Sequence, residues 1–441
     1  MGAQPSSDLG SEGLIGTHRT HPNINLDTCK GTCKYSGVFH DPATFANGFP
    51  HETFRRLRAD EPVSHHDHPT WKRGYWVVAR HADVQRVSRD SATFSNAPNP
   101  FLDAEMPEEG DAAMAELLIS QDPPVHTKLR KLINKGFTPR RVAELEDRVR
   151  DRVDRIVGGL AGRTGCDLVN DIALWLPLHV IADLVGVPED DREQVFRWTE
   201  LTFGFDETVT AEARSDAATA MFVYADGLCE QRRAEPRDDL LSVLLTAEVD
   251  GETLSQLQID LFFMLLQNAG SETTRNLITT GLFVLLQNPD ELARLTADLA
   301  RLPPAIEELL RWVSPVMQFT RRATKGAEIA GRHIVAGERV VLVYPSANRD
   351  ERAFVDPDRL DLTRQPNDHV AFGAGGPHFC LGANLARFEA RVMFEALLTR
   401  FDGLEIAADV DTLPRVHSNL IDGYAHVPIR WDLQHAGGPS R

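Results

Sequence analysis

The sequence predicts a mainly α protein with a small β-rich region, and three observations carry that expectation. From Val142 onward the apolar spacing is helical for most of the chain, with Gly or Pro punctuation near Gly158, Gly186, Pro236 and Gly251. One apolar stretch, from Ser255 to about Gln287, is long enough for a helix of roughly 32 residues and about 48 Å, which has to cross the whole molecule. The β-branched and apolar cluster Ile329, Ile334, Val340, Val341, Leu342 and Val343, inside 326–344, reads as strands.

In chain order, residues 1–40 are polar and Gly/His-rich with little periodicity and read as a flexible leader ahead of the folded part, 41–441, which the resemblance given below implies is one catalytic domain. Tyr75 to Ala79 reads as a strand and His81 to Ser91 as a short amphipathic helix. The segment from Phe94 to Leu118, rich in Pro, Asp, Glu and Met, reads as a long loop of the kind that carries function. Ser255-x-x-Gln258 forms a capping box at the head of the long helix, and Asn288-Pro289 stops it. Leu404 to Trp431 adds short β pieces.

The chain has 441 residues, 42% hydrophobic and 25% charged, which suffices for a core that encloses a prosthetic group. Its net charge of −18 argues against a general nucleic-acid binder. No run of about 18 uncharged apolar residues suggests a membrane anchor, and Met1 to Gly16 lack the basic and apolar regions of a signal peptide. Five scattered cysteines do not make a disulfide framework, which agrees with a reducing compartment, and the chain is expected to be cytoplasmic. A monomer is expected as well. Cys29-x-x-x-Cys33, with His21 and His40 nearby, is poorly spaced for zinc.

The richest segment runs from Phe372 through three glycines to His378, Cys380, Gly382 and Arg387. After Cys380, Leu381, Leu385, Phe388, Val392 and Ala396 recur at helical spacing, which places Cys380 at a helix N-terminus. There the dipole and free N–H groups favour a thiolate, and metal coordination would complete the deprotonation. Taken alone, the stretch also fits a buried structural cysteine after a Gly-rich turn.

The full string resembles the proximal-loop signature of the cytochrome P450 family, in which a Phe-Gly-x-Gly-x-His-x-Cys-x-Gly pattern supplies the thiolate ligand of haem iron. Phe372, His378, Cys380 and Gly382 match it, with one additional residue between Phe372 and Cys380. Ala269-Gly270-Ser271-Glu272-Thr273-Thr274 resembles the oxygen-binding groove, where the acid and Thr273 deliver protons and the small Ala269 and Gly270 leave room for a diatomic molecule. Glu308-x-x-Arg311 and Arg359 resemble the family's structural ion network. His126 and Arg130, four apart on one helix face, Arg321 (with Arg322 as the alternative) and His378 match contacts to haem propionates.

The resemblance covers roughly residues 45–432 and implies a triangular-prism helical domain holding haem b, with no bound flavin. It implies a monooxygenase that inserts one atom of O2 into a lipophilic substrate, with electrons from a separate ferredoxin and ferredoxin reductase. No flavin, nicotinamide or ferredoxin motif is visible in the chain. Lys128, Arg130, Lys131, Lys135, Arg140 and Arg141 form a basic cluster that could dock an acidic ferredoxin or simply be solvated. The family's pocket segments supply Phe101, Leu102, Phe203, Phe205, Phe222, Leu266, Val316, Met317, Phe319, Leu420 and Ile421, an apolar set. The lengthened loop before Cys380 resembles an actinobacterial branch that oxidises sterols, terpenoids and branched lipids. The rival readings are a hydroxylase or epoxidase of a secondary metabolite such as a macrolide, a peroxide-driven peroxygenase, and a non-catalytic haem sensor. The Glu272-Thr273 pair argues against the last two.

Overall fold

The computed structural model describes residues 39–102, 114–134, 137, 143–204, 208–249 and 251–432. The leader, Cys29, Cys33, Phe205, Lys135, Arg140, Arg141 and much of the loop before Leu118 therefore lie outside the described residues. At the start of the described chain, Phe39 is buried and packs on Phe54, with ring centroids 4.8 Å apart.

Helix α1 (His51–Asp60) leads into strands β1 (Val63–His66) and β2 (Tyr75–Val78), then α2 (His81–Arg89) and β3 (Phe94–Ser95). The helical layer contains α3 (Val125–Ile133), α4 (Glu146–Gly158), α5 (Trp175–Val185), α6 (Arg192–Phe203), α7 (Ala211–Ala234) and α8 (Leu240–Thr246), with the short strand β4 (Gly165–Asp167) between α4 and α5. The hairpin β5 (Glu248–Val249) and β6 (Glu252–Thr253) precedes α9 (Gln256–Leu286), which α10 (Pro289–Ala297) and α11 (Leu302–Val313) follow. Strands β7 (Gln318–Ala323), β8 (Ala327–Ile329), β9 (Arg332–Ile334) and β10 (Arg339–Val343) come next, then the single turn α12 (Tyr344–Ala347) and α13 (Ala383–Arg400). Strands β11 (Glu405–Ile406) and β12 (Pro428–Arg430) end the described chain.

The long helix α9 has the predicted start. Ser255 Oγ accepts from the Gln258 N–H, and the Gln258 side chain accepts from the Ser255 N–H, so two donors that an α-helix cannot satisfy internally are closed. Nineteen of its residues are buried from end to end, because α5, α7, α11 and α13 all pack on it. The run Leu168–Val185 is long and apolar enough to cross a membrane by composition, but 67% of it is buried inside the core.

The main sheet has the order β1-β2-β10-β7-β3, parallel only between β2 and β10. Every residue of β10 is buried, since neighbouring elements cover both faces. Strand β7 of this sheet and the middle of α9 enclose a cavity of about 380 Å³, whose floor is the loop carrying Cys380.

Candidate active site

The cysteine loop takes its shape from glycine. Gly373, Gly375 and Gly376 all have φ between 84° and 87°, the left-handed region that side chains resist. A Cβ on Gly376 would also meet the Ser88 carbonyl at 2.5 Å, so this glycine lets the loop lie against α2. Gly375 has α2 as its close neighbour as well, with Arg89 Nε 2.9 Å from where its Cβ would be. The Cys380 N–H donates to Phe372 O at 2.9 Å, closing the loop on itself. Cys380 lies three residues before α13, not at its first turn, and its side chain opens into the cavity. Burial pushes the thiol above its ordinary range, opposed by the Gly382 N–H and by Arg130 and Arg387. A metal bound at the sulfur would favour the thiolate.

Glu307 on α11 fixes this loop from behind. It receives Arg387 Nε at 2.6 Å and His369 Nε2 at 3.0 Å, and the Arg387 guanidinium lies 4.4 Å above the Phe372 ring. Burial works to raise the Glu307 carboxyl, but these two hydrogen bonds outweigh it and carry it down to about 2.

One edge of the cavity is built to receive anions. His126, Arg130, Arg321 and His378 all line it. The His126 and His378 rings are 4.2 Å apart, and burial holds them neutral, at about 4 and about 2. His126 Nδ1 and His378 Nε2 are buried without a partner. Arg130 donates to Phe379 O at 2.6 Å. Arg321 donates to Thr320 O, and burial lowers its pKa while Tyr344 partly opposes the shift. Of the two adjacent arginines it is Arg321 that reaches the cavity. Orphaned nitrogens and arginines at one edge, a thiol at the floor and open space between them fit a flat anionic group with a metal centre, which is the chemistry of haem. Phe372, Gly382 and Ala269 line the same space, as expected.

Over the floor, Thr273 Oγ1 donates to Ala269 O at 2.9 Å, the back-bond expected of a hydroxyl that shapes this helix face. Glu272 is 3% exposed and lines the cavity, paired with Arg275, which also reaches Glu200 at 3.4 Å. Burial nevertheless raises its carboxyl to about 7, against the opposing Arg275 charge. Gly270 lines the cavity too, and it has a second part beyond the one predicted. A Cβ there would lie 2.4 Å from Ile181, so the missing side chain lets α5 pack on α9, and the small residue most open to the cavity is Ala269.

Of the expected substrate wall, Phe101, Phe203, Leu266, Val316, Phe319, Leu420 and Ile421 line the cavity. Leu102 and Met317 do not. Each follows a lining residue but points away from the cavity, and both are buried in a separate cluster with Phe39 and Val341. Phe222, on α7, is likewise not among the lining residues.

The ion network also differs from expectation in one member. Glu308 and Arg311 are fully buried and joined by two 2.8 Å bonds. The third side chain is Arg364, whose Nε lies 3.1 Å from Glu308, with Asn367 adding a further bond. Arg359 is turned outward and pairs with Asp361; only its carbonyl faces the network, accepting from Arg364. The predicted basic cluster is partly used elsewhere too, since Lys128 pairs with Glu252 and Arg130 points inward.

A buried acid that the sequence reading passed over is Glu389 on α13. It lines the cavity, is 1% exposed, and one of its oxygens has no partner. Burial alone raises its carboxyl from 4.5 to about 8. Between those values the folded chain keeps a proton that the unfolded chain releases, so stability falls as the pH rises. Glu389→Gln removes that dependence. Urea midpoints at pH 5 and pH 8 are expected to differ less in the variant than in the wild type, the variant being the more stable at pH 8.

A helical fold around a cysteine-floored cavity with an anion-receiving edge and an acid–threonine pair defines the haem-thiolate class of protein. The chain matches the Cytochrome P450 family over residues 179–422. It is 36% identical over 408 residues to a steroid C26-monooxygenase of Mycolicibacterium smegmatis, covering 90% of this chain and 93% of that one. It is 39% identical over 392 residues to a methyl-branched lipid omega-hydroxylase of Mycobacterium tuberculosis, covering 86% and 90%. Among solved structures, a Mycobacterium marinum cytochrome P450 in complex with pseudoionone superimposes with a TM-score of 0.82 at 36% identity, covering 93% and 100%. A Bacillus megaterium enzyme in complex with corticosterone gives 0.78 at 32%, covering 87% and 98%. The chain belongs to the cytochrome P450 family and is a monooxygenase.

Proposed function

We propose that this enzyme hydroxylates a steroid, terpenoid or methyl-branched lipid, drawing electrons from a separate ferredoxin and ferredoxin reductase. The observation that carries the substrate class is the wall above Cys380, where Phe101, Phe203, Leu266, Val316, Phe319, Leu420 and Ile421 offer apolar surface from five separate segments. The relatives named for steroid and branched-lipid oxidation support the same reading. A bound haem b would be held by Cys380 below and by His126, Arg130, Arg321 and His378 at its edge. It supplies dioxygen activation, to which a thiolate ligand contributes electron density.

The chain's own residues do the rest. The apolar wall excludes water and orients the substrate over the floor. Glu272, poised near neutrality, can take up and release a proton at working pH, and the Thr273 hydroxyl beside it is placed to pass that proton into the cavity. Titrating the ferric protein with steroids, terpenoids, branched lipids and macrolides, while following displacement of iron-bound water in the Soret band, tests the substrate class. Saturable shifts are expected from the first three groups; a response to macrolides alone would overturn the reading.

A further inference from the structure

Ahead of the Glu272–Thr273 pair, α9 turns Phe262, Leu265, Leu266 and Ala269 to the cavity, and with them one polar side chain, Asn268. Its amide has no hydrogen-bond partner among the described residues. The other amide on the cavity wall, Asn96, is committed at its nitrogen to Ile119 O at 2.8 Å. A ligand that fills the space strips water from the Asn268 amide, and a hydrocarbon offers nothing in return. Leaving such a group unsatisfied weakens binding by about five-fold to a hundred-fold.

We propose that Asn268 selects lipophilic substrates carrying a neutral oxygen function, a ketone, hydroxyl or ester carbonyl, part-way along the molecule. A carboxylate there would find no free cation beside it on α9, among the described residues. Glu272 lies one turn away, and the nearby cation, Arg275, is engaged by Glu272 and Glu200. Five residues separate Asn268 from Thr273, about 7.5 Å along the helix axis, or about six carbon–carbon bonds of an extended chain. The selected oxygen is thus set about that far from the carbon presented at the Thr273 end.

The inference rests on the lipophilic-substrate reading and is tested by binding alone. Soret titrations of the haem-loaded protein with dodecane, 6-dodecanone and dodecanoate compare the wild type with Asn268→Leu and Asn268→Ala. The wild type is expected to bind the ketone about ten-fold more tightly than dodecane, and dodecanoate no better than dodecane. In both variants the ketone preference is expected to fall to about unity, while dodecane binds at least as tightly as before, which also shows that the pocket is intact. Equal binding of ketone and dodecane by the wild type, or an unchanged preference in the variants, overturns the role of Asn268 while leaving the lipophilic site standing. Failure of all three ligands to shift the band overturns the lipophilic reading and this inference with it.

Discussion

Glu308→Ala is expected to cost about 3–5 kcal/mol, because it strands the fully buried Arg311 guanidinium without its counter-charge. Against a total stability of roughly 5–15 kcal/mol, that loss takes a large share. The variant should therefore lose soluble yield and haem content together, and surviving protein should show a lower urea midpoint. The same network supplies an internal comparison. Arg364 holds Glu308 at 3.1 Å and is largely buried, whereas Arg359 points to solvent. Arg364→Ala should cost about 1–3 kcal/mol, as expected for removing a buried charged hydrogen bond. Arg359→Ala should lie within about 0.5 kcal/mol of wild type, as surface changes do. The reverse order would mean that the outward side chain is the one that matters.

Thr273→Ala should leave nicotinamide oxidation running while product formed per nicotinamide consumed falls by about ten-fold or more, within the range that positioned proton donors contribute. The variant removes only the hydroxyl that donates to Ala269 O, on a helix anchored along its length, so folding should be unaffected. Thr273→Ser keeps the hydroxyl and should restore most of the coupling. Unchanged coupling in Thr273→Ala would remove this residue from proton delivery.

What the sequence disclosed was local. The capping box at Ser255 and Gln258, the stop at Asn288-Pro289 and the Gly-rich approach to Cys380 each involve residues a few positions apart; the structure places the first two as expected and turns the third on left-handed glycines, with Cys380 three residues ahead of α13. The haem-edge set, drawn from three distant segments, was legible only through the family resemblance, yet His126, Arg130, Arg321 and His378 do meet at one edge. Side-chain direction was not legible. Met317 and Leu102 are as apolar as their neighbours and face another core, and Arg359 and Arg364 are five residues apart in a loop without periodicity. The space left by Gly270 depends on where α5 passes, which no local pattern encodes. Glu389 did carry a signal, since it falls one turn after Leu385 and three residues before Val392, on the buried stripe of α13. A carboxyl on an apolar stripe marks a buried acid. Asn268 carried a weaker signal, a polar residue beside Gln267 at the end of the apolar run Leu261–Leu266 on α9.

The central claim is that Cys380 is the iron ligand, and the spectrum of the reduced protein under carbon monoxide tests it most directly. A thiolate opposite carbon monoxide displaces the Soret band to the red. The wild type should show that band, and Cys380→Ala should lack it while His126, Arg130, Arg321 and His378 still shape the haem edge. Retention of the red-shifted band in Cys380→Ala would contradict the assignment.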